Sequence, residues 1–114
     1  MINRQIKTPI MHRAVESNGF VFFGGITADD KSKDIAGQTT EVLDKLENYL
    51  SEAGTDKSKV VMATVYVSDL SNKSGLNQVW TSWFDENELP ARATLGVADL
   101  GEGILLELVA TAVI

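Results

Sequence analysis

The chain has no cysteine, one histidine, two prolines and no long apolar run, and each shortage closes off some chemistry. Without cysteine there can be no disulfide, thiolate metal site, iron–sulfur centre or thiol nucleophile. A Ser–His–Asp triad or a polyhistidine metal site would have to be built around His12 alone. No segment approaches the roughly 20 apolar residues that span a bilayer. The N-terminal Met1-Ile2-Asn3-Arg4-Gln5-Ile6-Lys7 lacks the long apolar segment of a secretory signal. These absences lead to an expectation of a cytoplasmic protein with no membrane partner. Positive charge is also short: ten Lys and Arg against sixteen Asp and Glu give a formal net charge of −6. The basic residues are scattered, with Lys31-Ser32-Lys33 and Lys57-Ser58-Lys59 the only clusters. Nucleic-acid binding needs a cationic stripe to displace counterions, so no nucleic-acid partner is expected.

What remains is a chain of 114 residues, 44% hydrophobic, which fits a single domain over residues 1–114. A core of that size has a thin margin, so a subunit interface is expected to contribute stability.

Asn18-Gly19 ahead of Phe20-Val21-Phe22-Phe23 is a hairpin signal, which places strands over 11–16 and 20–24. Gly24-Gly25 then marks a bulge or a close approach of backbone or ligand. From Asp34 to Ala53, apolar residues recur at three- and four-residue steps, and Gly54 supplies the stop of a helix. Val60 to Ser68 is β-branched and apolar on both faces, as in a central strand covered on both sides. Ser71 or Asn72 caps a second helix in which Leu76, Val79, Trp80, Trp83 and Phe84 share a face. Trp80, Trp83 and Phe84 are read as core, with Phe84 able to reach a pocket edge. Gly101-Glu102-Gly103 is a turn, and a last strand runs over 104–113.

The order β-β-α-β-α-β-β, with room for an extra N-terminal strand, predicts an α+β two-layer domain. A mixed sheet would carry both helices on one face. In the last strand Leu106, Leu108, Ala110 and Ala112 go under the helices. Leu105, Glu107, Val109, Thr111 and Val113 point the other way and are mostly apolar. A sheet apolar on both sides but covered on one predicts closure of the bare face by other subunits.

Leu89-Pro90-Ala91-Arg92-Ala93-Thr94-Leu95-Gly96-Val97 carries the chemistry. Pro90 ends a helix by fixing φ and lacking an amide hydrogen. The residues after it alternate, so Ala93, Leu95 and Val97 share one face while Arg92, Thr94 and Gly96 share the other. The guanidinium is thus placed at the start of a strand, opposite the apolar residues. Its planar fork of donors fits a carboxylate. Two readings stay open for it: grip on an organic acid, or an ion pair with an acid across the sheet such as Glu107. His12 is read as a surface residue rather than a base.

In combination these segments resemble the Rid family of reactive intermediate deaminases, also called YjgF-like. The similarity covers nearly the whole length. It rests on Asn18 to Gly25, Ala53-Gly54, Val65-Tyr66-Val67-Ser68-Asp69-Leu70, and Asn77 ahead of Trp80, Trp83 and Phe84. It continues through Leu89-Pro90-Ala91-Arg92-Ala93 and Glu107 to Val113. The resemblance implies a chorismate-mutase-like fold and a homotrimer whose sheets form a barrel with clefts between subunits. It implies that Arg92 binds the carboxylate of a 2-imino or 2-enamino acid, which water hydrolyses to a 2-keto acid and ammonia. Such imines are labile, so orientation and a placed water suffice, with no cofactor and no metal. The implied substrate-binding set is Arg92, Thr94, Gly24, Phe23, Asn77 and Phe84, with Arg92 and Glu107 catalytic. The resemblance sets an acid of the family's best-studied branch at Val109; Glu107, two residues earlier, faces the same side of the sheet. The same branch differs at Phe23 and Ile10, so the pocket is expected to be more apolar here. Two other readings are carried: a non-catalytic trimer that binds 2-keto acids or regulates through them, and an endoribonuclease or translation inhibitor. The acidic charge counts against the second.

Overall fold

The Asn18-Gly19 pair folds as its residue types require. Both residues take positive φ, 53° and 80°, which is the geometry of the tight hairpin turn that favours this dipeptide. The computed structural model describes all 114 residues. The turn joins β2 (His12–Ser17) to β3 (Phe20–Ile26). Ahead of them the extra strand is present as β1 (Ile2–Lys7), antiparallel to β2. Past β3 the chain enters α1 (Ile35–Glu52), where the Asp34 carboxylate accepts the Gly37 N–H at 2.9 Å and caps the first turn. Gly54 follows the helix at φ 83°, the left-handed stop expected of it.

β4 (Val60–Val67) leads through a single 3₁₀ turn at Leu70–Asn72 into α2 (Lys73–Trp83). The capping expectation is corrected here. Asp69 caps the 3₁₀ turn by accepting from the Ser71 N–H, and Asn72 makes no side-chain cap bond. β5 (Ala91–Gly96) and β6 (Leu106–Val113) complete the chain, β6 starting two residues later than expected.

The strands form one mixed sheet in the order β1-β2-β3-β6-β4-β5. All neighbours are antiparallel except β4 and β5, which run parallel with α2 as their crossover. β4 lies inside the sheet between β6 and β5, while β5 is an edge strand. Between Phe23 and Ile26 the register with β6 shifts, so Gly24-Gly25 is a bulge.

The core is a single cluster. Val42, Leu46 and Leu50 of α1 and Leu76 and Trp80 of α2 join Ala63, Val65 and Val67 of β4 and Leu106, Leu108, Ala110 and Ala112 of β6. These strand residues share one face, so both helices cover the same side of the sheet, as the sequence predicts. Gln38 is buried with them and fully used. It donates to the carbonyls of Lys33 and Gly103 and accepts from the Leu105 N–H, tying α1 to the turn before β6. The other face is bare. Phe20, Phe22, Met62 and Leu95 keep 40–48% of their surface exposed there. No helix is long and apolar enough to cross a membrane.

Candidate functional site

Arg92 is the second residue of β5; Pro90 does not end α2 as expected, because that helix stops at Trp83 and a 3₁₀ turn at Glu86–Glu88 intervenes. Its register partner is Ala63, one of the buried residues beneath the helices. The guanidinium therefore leaves the sheet on the helix side, at the open edge, and meets the flank of α2. There it donates from Nη2 to Asn77 Oδ1 at 2.5 Å, and its Cζ lies 5.0 Å from the centre of the Trp80 ring. The alternation read from the sequence holds, but its meaning reverses. Ala93 and Leu95 pair with Thr64 and Tyr66 and face the bare side, while Arg92 faces the helices.

No carboxylate partners Arg92. The ion pairs of this chain join Lys33 to Glu41 and Lys45 to Asp29 and Glu41. Burial holds the Arg92 pKa below its ordinary value, and arginine stays charged at any physiological pH. The result is a half-buried cation whose charge nothing in its own chain cancels. Thr94, two residues on, lies on the same side beside Val65.

Glu107 sits elsewhere. In β6 it pairs with Tyr66, three residues along β4 from the partner of Arg92, so its side chain leaves the sheet by the opposite face. The expected ion pair between Arg92 and Glu107 does not form. The Glu107 carboxylate instead lies over Gly25, in the space that a Cβ there would occupy. It makes no hydrogen bond within the chain. The bulge explains how this is possible, because only a glycine leaves room for the carboxylate against the backbone. Arg13, which the sequence did not single out, donates to the Gly25 carbonyl at 3.3 Å and so helps fix the bulge from the neighbouring strand. Next to it, Gly24 faces Met11, whose Sδ lies 3.3 Å from where a Cβ would stand.

Two expected contacts are corrected. Phe23 pairs with Ala14 and Ala110 on the covered face and is 2% exposed, so it packs the core and cannot line a ligand cleft. Phe84 is 3% exposed and lies against Trp80 and Trp83, with ring centres 4.9 and 4.7 Å away. It is buried behind the platform on which Arg92 rests. Asn77 is near the site as expected, but what it holds is Arg92. His12 takes part in none of these contacts. A surface hollow of about 470 Å³ lies between Glu47, Asp56, Lys57 and Glu88, and includes none of the expected site residues.

Within one chain, then, an unpaired cation at a sheet edge and an unpaired carboxylate over a glycine bulge lie on opposite faces of the same sheet. The fold that carries them is that of the YjgF-like proteins. Residues 5–114 match the family described as Endoribonuclease L-PSP, and the chain belongs to that family. It is 36% identical over 97 residues to a RutC family protein of Haemophilus ducreyi, covering 85% of this chain and 83% of that one. A solved YjgF-family structure from Neisseria meningitidis superposes with a TM-score of 0.94 at 31% identity, covering 99% and 94% of the two chains. A Rid-family protein of unknown function from Yersinia pestis gives 0.87 at 29% identity over 95% and 90%.

Proposed function

We propose that this protein hydrolyses small 2-imino or 2-enamino acids to 2-keto acids and ammonia, in clefts between the subunits of a homotrimer. The observation that carries the reading is the charge of Arg92, which no carboxylate of its own chain cancels. An organic acid supplies what is missing, two oxygens in the plane of the fork. Glu107, equally unpaired at the Gly25 bulge, accepts a hydrogen bond from water and turns its lone pair toward the imine carbon. The water oxygen adds to carbon as one water proton passes to the nitrogen; the hydroxyl proton of that adduct then moves to the amine, C=O forms as the C–N bond breaks, and ammonia leaves. No redox partner is required. Thr94 and the backbone at Gly24 offer polar groups for the substrate nitrogen and the water.

Because Arg92 and Glu107 leave opposite faces, they act on one substrate only if two copies contribute. The exposed Phe20, Phe22, Met62 and Leu95 of the bare face support such an assembly. A barrel of three sheets turned inward through these faces would cover them. The net charge of −6 favours this reading over RNA cleavage.

The test couples the purified protein to an amino-acid oxidase and its substrate, with semicarbazide trapping the imine. Wild-type protein should suppress adduct formation, and Arg92→Ala should reduce that effect by about 100-fold or more, the loss expected of a misplaced substrate. Equal behaviour of the two proteins would contradict the deaminase. A wild-type protein that binds a 2-keto acid without any rate effect would replace it with the binding reading.

A further inference from the structure

We propose that Asn77 and Trp80 form a charge-neutral clamp that aims the Arg92 guanidinium while leaving its whole positive charge for a ligand carboxylate. The inference rests on the reading of Arg92 as the grip for an organic acid.

A guanidinium drawn partly out of water needs partners, and a protein carboxylate would satisfy it at the cost of its charge. Here orientation and neutralisation are separated. Asn77 Oδ1 takes one of the five N–H donors at 2.5 Å, and the Trp80 ring lies under the guanidinium at 5.0 Å. An aromatic face attracts a cation through its quadrupole at distances up to about 6 Å without contributing charge. An amide oxygen fixes the rotation of the fork in the same neutral way. One donor and one flat side are thus occupied, which leaves N–H groups free for two carboxylate oxygens. None of the sixteen acidic residues enters ion-pair distance of Arg92.

The platform is held from behind. Trp80 is 5% exposed and packs on Phe84, and Phe84 meets Trp83 edge-on. Lys57 closes the row, with Nζ 4.8 Å above the Trp83 ring and donating to the Trp83 carbonyl at 2.7 Å. The aromatic run of α2, which reads as plain core in the sequence, therefore does a second job. It sets the height and tilt of the one cation at the site. Asn77 and Trp80 are positioning residues and act through Arg92.

The experiment titrates 2-oxobutanoate into the purified full-length protein and follows heat, with tryptophan fluorescence as a second signal because Trp80 is one of only two tryptophans. Wild type should bind and Arg92→Ala should not. Asn77→Asp keeps size and an acceptor oxygen but adds a charge, and should weaken binding by tenfold or more; Asn77→Ser, neutral, should weaken it less. Trp80→Leu should weaken binding about tenfold and Trp80→Phe should recover most of it. In the deaminase assay these variants should raise KM and leave kcat nearly unchanged. If Asn77→Asp binds as tightly as wild type while Arg92→Ala does not bind, the clamp is wrong and the grip stands. Should Trp80→Leu fail to fold, the Asn77→Asp and Asn77→Ser comparison decides alone. Binding that survives Arg92→Ala, or its absence in wild type, overturns the grip and the clamp together.

Discussion

The two faces of the sheet are built from similar residues and have opposite fates. On β6 the helix side carries Leu106, Leu108, Ala110 and Ala112, all buried, while the other side carries Glu107, Val109, Thr111 and Val113, all part-exposed. Phe23 is 2% exposed and its neighbour Phe22 is 48% exposed, though both are phenylalanines of one strand. Chemistry does not distinguish them; cover does. One face has been dried by two helices of its own chain. The other is apolar enough to be dried but has nothing in the chain to do it, and it also holds Glu107 over the bulge. A domain that finished its core alone would not leave phenylalanines in water beside an unpaired carboxylate.

Mutations on the two faces should separate folding from assembly. The largest effect on stability belongs to the covered face. Leu108→Ala removes a fully buried side chain and should cost about 2–5 kcal/mol, read as a lowered denaturation midpoint. A loss below about 1 kcal/mol would mean that the helices do not seal this face. Phe22→Asp should do the reverse. It should change the stability of the isolated chain by no more than about 0.5 kcal/mol, as exposed substitutions do. It should nevertheless shift the assembly toward monomer in sedimentation velocity and remove deaminase activity with it. An assembled and active Phe22→Asp protein would show that the bare face is not the interface.

Much of this architecture was written in local signals. Asn18-Gly19 fixed the hairpin because few other dipeptides accept two positive φ values in succession. Asp34 and Gly54 bounded α1, and the alternation on β6 identified the covered side. The two-faced sheet was also readable, since both alternating sets on β6 are apolar. The site was less so. Sequence alternation told which residues share a side with Arg92 but not which side the helices occupy. At an edge strand the apolar set can face outward, as Ala93 and Leu95 do here. Phe23 entered the lining set only through the family resemblance, yet the bulge falls after it and its pairing with Ala110 carries it into the core. Trp80 and Asn77 fell at helical spacing, and nothing in that spacing says that the flank of α2 meets the start of β5. Arg13 was invisible for a similar reason. Its contact is with a backbone carbonyl, which leaves no pattern in residue types.

One active site should need Arg92 from one copy and Glu107 from another, and mixing mutant subunits shows whether it does. Arg92→Ala and Glu107→Gln proteins, each inactive alone, are unfolded together in equal amounts and refolded. In a closed ring of randomly mixed subunits about one site in four then receives both native residues, so about a quarter of wild-type activity should return. If the two residues serve a site within a single chain, the mixture will stay as inactive as its parents, and a site shared between copies is ruled out.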